Sequence, residues 1–104
     1  MTVIAVVTTV GNRKEARRLA RALVEAKLAA CAHVSRIESV YSWKGAIEQG
    51  KEYRVLFKTV EDHYPAAERA IRDLHAYELP AIQAFAMTHI SPDYAAWIEE
   101  SVGV

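Results

Sequence analysis

The sequence predicts an α/β (α+β) protein with the ferredoxin-like element order β-α-β-β-α-β, followed by a short C-terminal helix. Three observations support this prediction: an apolar β-branched run at the start, two segments with helical spacing of apolar residues, and two long strand-like segments between them. The chain has 104 residues. Because this length suits one hydrophobic core, we expect residues 1–104 to form a single domain.

The first strand and the first helix follow from local patterns. Residues 2–9 form a β-branched run that is apolar on both faces, which is typical of a central, covered strand. Asn12 and Glu15 then fit the N-cap and third position of a capping box. Apolar residues recur at helical spacing to about residue 27, and this predicts an amphipathic helix with a basic outer face.

A long hairpin is predicted in the middle of the chain. Residues 28–43 contain no glycine and no proline and alternate in polarity toward their end. We expect one strand much longer than the usual length of about five or six residues, bent or bulged once. A turn region follows over residues 44–50, and the next strand runs over about 52–60, so that the two strands pair antiparallel.

The remaining elements complete two βαβ units. A second helix begins within residues 62–65, where a proline is tolerated in the first turn, and it stops near His75 ahead of Pro80. Residues 81–90 form the fourth predicted strand. Residues 91–93 supply an N-cap, a proline and an acid for the last helix. Two right-handed βαβ units that share one sheet produce the ferredoxin-like architecture.

Apolar residues are predicted on both faces of this sheet. Val55, Leu56 and Phe57 are consecutive, and Phe85 and Met87 alternate with alanines. Both main helices cover the same face, so the second face would expose apolar surface at a cost of about 25 cal/mol per Å². We therefore expect another copy of the chain to cover it, and the long hairpin offers strand edges for pairing.

Composition limits the compartment and the partners. The 13 basic and 13 acidic side chains cancel, whereas nucleic-acid domains usually carry a basic excess. Cys31 is the only cysteine, so no internal disulfide can form, which fits a reducing compartment. The first residues lack the basic region of a signal peptide, and their apolar run is too short to span a bilayer. We expect a cytoplasmic protein that binds neither nucleic acid nor membrane.

Five segments, in this order, resemble the CutA family of divalent-cation-tolerance proteins across nearly the whole chain. They are LAACA at 28–32, SVYSWKG at 39–45, KT at 58–59, HAYELP at 75–80 and YAAW at 94–97. The resemblance implies a ferredoxin-like subunit in a tightly packed homotrimer, located in the bacterial cytoplasm and involved in responses to copper and other divalent metals. It also implies a PII-like assembly with ligand clefts between subunits, and this likeness does not identify the ligand.

The chain departs from the family pattern at two places. The family often has a proline at the position of Ala76 and an acid at the position of Ala81. Loss of the acid removes one polar group from the inter-subunit cleft. Some relatives end the first strand with a cysteine where Thr8 and Thr9 stand here, so a metal site that uses that cysteine would be absent.

Cys31 and His33 are the candidate metal ligands. A thiolate suits Cu(I) or Zn(II), and imidazole binds both metals. Two residues apart in a strand, the side chains point to the same face about 7 Å apart at the backbone. The alternative is that Cys31 is a small core residue among alanines.

Six residues are candidates for a ligand cleft because they stand at strand or helix ends, and in the resembled family they surround the cleft between subunits. They are Tyr41, Trp43, Lys58, His75, Tyr77 and Glu78. Here Lys58 would hold an anion, and Glu78 would accept hydrogen bonds from the ligand or bind a metal. The aromatic rings would form the walls of the cleft. The alternative assigns the aromatic residues to interface packing, His75 to the end of a helix and Glu78 to a salt bridge.

Two other functions use some of the same residues. An enzyme would use His75 and Glu78 as acid and base, but no nucleophile or nucleotide motif accompanies them, and we expect no enzymatic activity. An RNA-binding module would stack bases on aromatic residues of the third strand, where Tyr53, Val55 and Phe57 alternate. The first strand offers no aromatic partner and the chain is electrically neutral, so we expect no RNA binding. The prediction is a homotrimer that senses or buffers a divalent metal, with a PII-like signalling or scaffold role without a metal as the alternative.

Overall fold

The computed structural model describes residues 1–104 as a four-stranded antiparallel sheet with three α-helices. The elements are β1 (Val3–Val10), α1 (Arg13–Glu25), β2 (Cys31–Trp43), β3 (Ala46–Val60), a 3₁₀ turn (Glu61–His63), α2 (Tyr64–Leu74), β4 (Ile82–Ala86) and α3 (Pro92–Ser101). The strand order is β2-β3-β1-β4, with β1 and β2 parallel on either side of β3. This arrangement confirms the predicted ferredoxin-like fold. No helix has the length and apolar character needed to cross a membrane.

The start of the fold matches the prediction closely. Strand β1 pairs with β3 on one side and β4 on the other, and Val6 is fully buried, as expected of a central strand. The side-chain oxygen of Asn12 accepts a hydrogen bond from the Glu15 amide at 2.9 Å. Because this bond satisfies one of the free amides of the first turn, it starts α1 at Arg13.

Helix α1 ends earlier than predicted, at Glu25 rather than near residue 27. Lys27 adopts a left-handed conformation with φ of 59°, and the Leu28 amide donates to the Leu23 carbonyl at 3.0 Å. This is a Schellman ending, which usually has glycine at the left-handed position. Residues 28–30 therefore form a connector, and β2 begins only at Cys31. With no glycine or proline, the sequence contains no signal for this boundary.

The hairpin is longer and more regular than predicted. Its turn has only the two residues 44–45, both with positive φ, and β3 begins at Ala46 rather than near Glu52. Such turns match the twist of the flanking strands, so the two strands stay paired up to the turn itself. The register shows no extra residue along the whole of β2, and the expected bulge is wrong. Residues 46–50 belonged to the predicted turn region because their pairing with β2 cannot be recognised from the local sequence.

Strand β4 is shorter than the predicted range 81–90. It ends at Ala86, which pairs with Ile4 near the start of β1. Beyond this point only the Met87 amide still bonds to β1, at 3.0 Å from the Val3 carbonyl oxygen. The chain then turns toward α3, because β1 offers almost no further partner residues.

The sheet has two different faces. Helices α1 and α2 cover the first, which we call the helix-covered face, and its core is a cluster of 11 buried residues that includes Val6, Phe57 and Ile71. The second, which we call the open face, is covered at one end by α3. There 5 buried residues form a smaller cluster: Val3, Ala30, Val60, Ile98 and Val102. Elsewhere on the open face Phe85 is 56% exposed. The expectation that this face is bare is thus correct only away from α3.

The residues considered for base stacking lie on the helix-covered face. Val55 and Phe57 are fully buried, and the guanidinium of Arg13 lies 5.7 Å from the centre of the Tyr53 ring. Phe57 is therefore unavailable to stack on nucleic-acid bases in this structure, which leaves Tyr53 as the one half-buried aromatic residue of this set.

Candidate functional site

The structure separates the predicted cleft residues. Tyr41, Trp43, Tyr77 and Glu78 line one cavity of about 690 Å³, which we call the hairpin cleft. Its other lining residues are Thr9, Glu38, Ser39, Val40, Ser42, Glu52, Leu79 and Ala81. Lys58 is not among them. A depression of about 570 Å³ between α1 and β2 contains none of the predicted residues.

The hairpin cleft forms where the hairpin extends beyond the sheet. Strand β1 ends at Val10, opposite Tyr53, and the residues of β3 that precede Tyr53 have no partner from β1. The segment 75–81 packs there after α2. The Tyr77 hydroxyl donates a hydrogen bond to the Glu52 carboxylate at 2.6 Å, which ties this segment to β3.

The Tyr77 phenol keeps its proton at neutral pH. Burial raises the pKa of Tyr77 above its ordinary value, and the hydrogen bond to Glu52 and nearby negative charges act in the same direction. Because the bond occupies one oxygen of Glu52, the second carboxylate oxygen has no protein partner among the hydrogen bonds of the structure.

His75 supports the cleft rather than lining it. Its Nε2 lies 2.8 Å from the carbonyl oxygen of Thr9, and its Nδ1 accepts a hydrogen bond from the Tyr77 amide at 3.1 Å. The tautomer with hydrogen on Nε2 satisfies both bonds, since the amide donates to Nδ1. An acid–base role for His75 would require breaking one of them. That the protein is not an enzyme stays a prediction.

The cleft is acidic. Glu38, Glu52 and Glu78 belong to its lining, which contains no lysine, arginine or histidine. Lys44 reaches in from the turn, with its ammonium nitrogen 3.5 Å from the Glu78 carboxylate and 5.4 Å from the centre of the Trp43 ring. The salt bridge weighed for Glu78 is therefore present.

Sequence reasoning missed two of these three acids. Glu52 was assigned only to the start of a strand, and no local pattern distinguishes Glu38 from other exposed strand residues. Ala81 does line the cleft. Its methyl group thus stands where the family often has an acid, as the resemblance implied.

The second group of predicted residues lies around Cys31, on the open face. The Cys31 sulfur is 3.7 Å from His33 Nε2 and 3.5 Å from the Tyr94 hydroxyl. The Lys58 ammonium donates to the same hydroxyl at 3.2 Å, which leaves the hydroxyl hydrogen free to point toward the sulfur. Lys58 therefore belongs here because it pairs with Cys31 across the hairpin.

Tyr94 was not predicted as a site residue. It comes from α3, and its ring stacks on Trp97 with 5.6 Å between ring centres. The only sequence signal was its place in the YAAW segment of the resemblance. Cys31 is partly exposed rather than a core residue, which disagrees with the alternative assignment. No three side chains among histidine, cysteine, aspartate and glutamate lie close enough together to hold a metal, so one chain supplies at most the pair.

Comparisons with known proteins point to one family. Residues 4–101 match the family described as CutA1 divalent ion tolerance protein. The divalent-cation tolerance protein CutA of Thermotoga maritima is 38% identical over 99 residues, covering 95% of this chain and 98% of that protein.

Solved structures give the same result. CutA from Synechococcus elongatus PCC7942 superposes with a TM-score of 0.94 at 34% identity, covering 98% of this chain and 91% of that one. The periplasmic divalent cation tolerance protein CutA from Archaeoglobus fulgidus has a TM-score of 0.94 at 30% identity, covering 96% and 98% of the two chains. The proteins from Thermotoga maritima and Archaeoglobus fulgidus are named for divalent-cation tolerance and not for a reaction.

Proposed function

The chain belongs to the CutA1 divalent ion tolerance family, and we propose that it acts as a homotrimer that binds copper or another divalent cation. The observation that carries the metal proposal is the Cys31–His33 pair. The thiol and the imidazole stand side by side on the open face, and neither side chain is buried.

The spacing of this pair suits a tetrahedral metal. Bonds of about 2.3 Å to sulfur and about 2.0–2.1 Å to nitrogen, at the tetrahedral angle, place the two ligand atoms about 3.6 Å apart. The observed separation is 3.7 Å. A metal can therefore bind to Cys31 and His33 without moving either backbone, and such soft and borderline ligands favour copper and zinc.

The remaining ligands have to come from outside one chain. A structural tetrahedral site has four ligands, and this chain contributes two. Cys31 and His33 lie on the open face, where Phe85 is 56% and Trp97 44% exposed. Since a neighbouring copy that covers this apolar surface also approaches Cys31 and His33, trimer formation and a complete metal site support each other.

Metal titration tests the site. With the reduced protein, calorimetry with Zn(II) or Cu(I) is expected to show stoichiometric binding that weakens about tenfold or more in Cys31→Ser and in His33→Ala. His89→Ala is the matched control, because His89 is an exposed histidine outside the pair. Equal binding by all the variants would place the metal elsewhere.

Sedimentation tests the assembly. The expected mass is three times that of the 11.6 kDa chain, and it should persist on dilution. A folded monomer that stays dispersed at high dilution would contradict the trimer proposal. It would show that the apolar open face is stable in water without a neighbouring copy.

A second candidate function is ligand binding by the hairpin cleft, in the manner of a PII-like signalling protein. The volume of about 690 Å³ favours it, since small-molecule sites have about 300–1,000 Å³. Native mass spectrometry of protein purified from cells should report an added mass that Trp43→Ala removes. If the added mass persists in that variant, the ligand does not bind in the hairpin cleft.

We also propose a cytoplasmic location, on the ground that the single cysteine is a free thiol. The relative from Archaeoglobus fulgidus is named periplasmic, so the compartment has to be measured. Fractionation of the native cells, with marker proteins for each compartment, should recover the chain with the cytoplasmic marker.

A further inference from the structure

We propose that the hairpin cleft binds an organic cation, a primary ammonium group on a short hydrocarbon chain. The proposal rests on the cleft being a ligand site and names the class of its ligand. Glu52 and Glu78 belong to the lining together with Tyr41 and Trp43, and no basic side chain does. A cation therefore matches the charge of this cavity, whereas an anion would be repelled.

Lys44 shows that the geometry accepts an ammonium group. Its nitrogen lies 3.5 Å from the Glu78 carboxylate and 5.4 Å from the centre of the Trp43 ring. The second distance is within the range of about 6 Å for cation–π attraction. The protein's own ammonium thus occupies the combination of an aromatic face and a carboxylate that a ligand would use.

This internal ion pair is easily displaced. The side chains of Lys44 and Glu78 are 68% and 73% exposed, and exposed pairs contribute little to stability. A ligand amine would also reach the free oxygen of Glu52 and the rings of Tyr41 and Tyr77, which Lys44 does not contact in this structure.

Other ligand classes fit less well. The Tyr77 hydroxyl already donates to Glu52 and has no second hydrogen for an anion, and Lys58 lies beside Cys31 instead of in the cleft. No three acidic, cysteine or histidine side chains lie close enough together here to form a metal site. The apolar side chain of Leu79 and the ring of Tyr41 suit the hydrocarbon part of an amine.

Three probes of equal length separate charge from shape: putrescine, butanediol and succinate. In calorimetry on the whole oligomer, putrescine is expected to bind and to weaken as salt is raised, while the neutral and anionic probes do not bind. Glu52→Gln and Glu78→Gln should each weaken putrescine binding about tenfold, since each removes a charge-assisted hydrogen bond. Glu52→Gln still offers an oxygen to Tyr77, so the cleft keeps its shape.

Two further variants sharpen the test. Lys44→Met should strengthen putrescine binding several-fold, because it removes the competing internal ammonium. Glu100→Gln is the control, as an exposed acid on α3 outside the cleft. Unchanged putrescine binding in both glutamine variants, or weaker binding in Lys44→Met, overturns the proposal.

The possible failures are distinguishable. If succinate or butanediol binds and putrescine does not, the ligand class is wrong and the cleft remains a ligand site. If Zn(II) binding is lost in Glu78→Gln, the cleft holds a metal and the amine proposal falls. If no probe binds and Trp43→Ala dissociates the trimer, another copy fills the cleft, and both this inference and the ligand-cleft function fail.

Discussion

The two faces of the sheet differ in how completely the chain buries them. On the helix-covered face, α1 and α2 close a core of 11 buried residues. On the open face, α3 closes a core of only 5, and Phe85 and Trp97 stay exposed. The chain thus completes one face by itself and leaves the other partly exposed. Because Cys31 and His33 lie on the incomplete face, the metal proposal is tied to assembly.

The largest effect is expected in the helix-covered core. Phe57 is fully buried, and Phe57→Ala should lower the free energy of unfolding by about 3–5 kcal/mol, through lost burial and the cavity left behind. Denaturant titration at fixed protein concentration measures it. In the same titration Phe85→Ala should cost less, and its cost should change with protein concentration, since Phe85 is 56% exposed in one chain. A similar cost for both would contradict the comparison.

Assembly should depend on the open face. Phe85→Asp is expected to weaken subunit association by about 2 kcal/mol or more, as for aromatic residues buried in interfaces. Sedimentation over a dilution series measures the shift toward smaller species. Val24→Asp, on α1 at the other side of the sheet, is the matched control, since Val24 is 37% exposed. Dissociation by both variants would show general destabilisation.

The helix-covered core contains two buried hydroxyl groups that lower the stability of the protein. The hydroxyl groups of Thr8 and Thr59 are buried without a hydrogen-bond partner. Thr59→Val keeps the shape and should raise the free energy of unfolding by about 1–2 kcal/mol, because an unsatisfied buried group is removed. Thr88→Val, at an exposed threonine, should change it little. A loss of stability in Thr59→Val would mean that the hydroxyl has a partner.

The smallest effect concerns the connector between the two faces. Lys27 has φ of 59°, and it precedes the residues that lead to Ala30 and Cys31 on the open face. Lys27→Gly should stabilise the protein by about 0.5 kcal/mol, since glycine adopts this conformation without strain. Arg17→Gly, at an exposed position in the interior of α1, should instead destabilise by about 1 kcal/mol. Thermal unfolding of both variants shows whether each substitution stabilises or destabilises the protein.

Much of the fold could be predicted, because its signals are local. The Asn12 cap, the central position of β1 and the order of elements all follow from residue types and spacing. The errors occur where a distant partner decides the conformation. Residues 46–51 form a strand only because β2 pairs with them, and β4 stops at Ala86 because β1 has almost no further residues to offer.

The candidate sites show the same limit. The alternation of side chains along a strand was sufficient to place Cys31 and His33 on one face. It was not sufficient to place Lys58, whose position beside Cys31 depends on the hairpin register. Tyr94 and Glu52 were missed because their hydrogen-bond partners, Cys31 and Tyr77, are far from them in the sequence.

The sequence by itself determined the periodic features: which segments are helices and strands, and that both sheet faces are apolar. It determined them because side-chain spacing and capping act over a few residues. Only the tertiary structure decided that α3 covers one end of the open face and that Tyr77 and Glu78 meet Glu52 and the hairpin rings in the hairpin cleft. Those arrangements depend on strand register and on the path of the chain after each element, which local propensities do not contain.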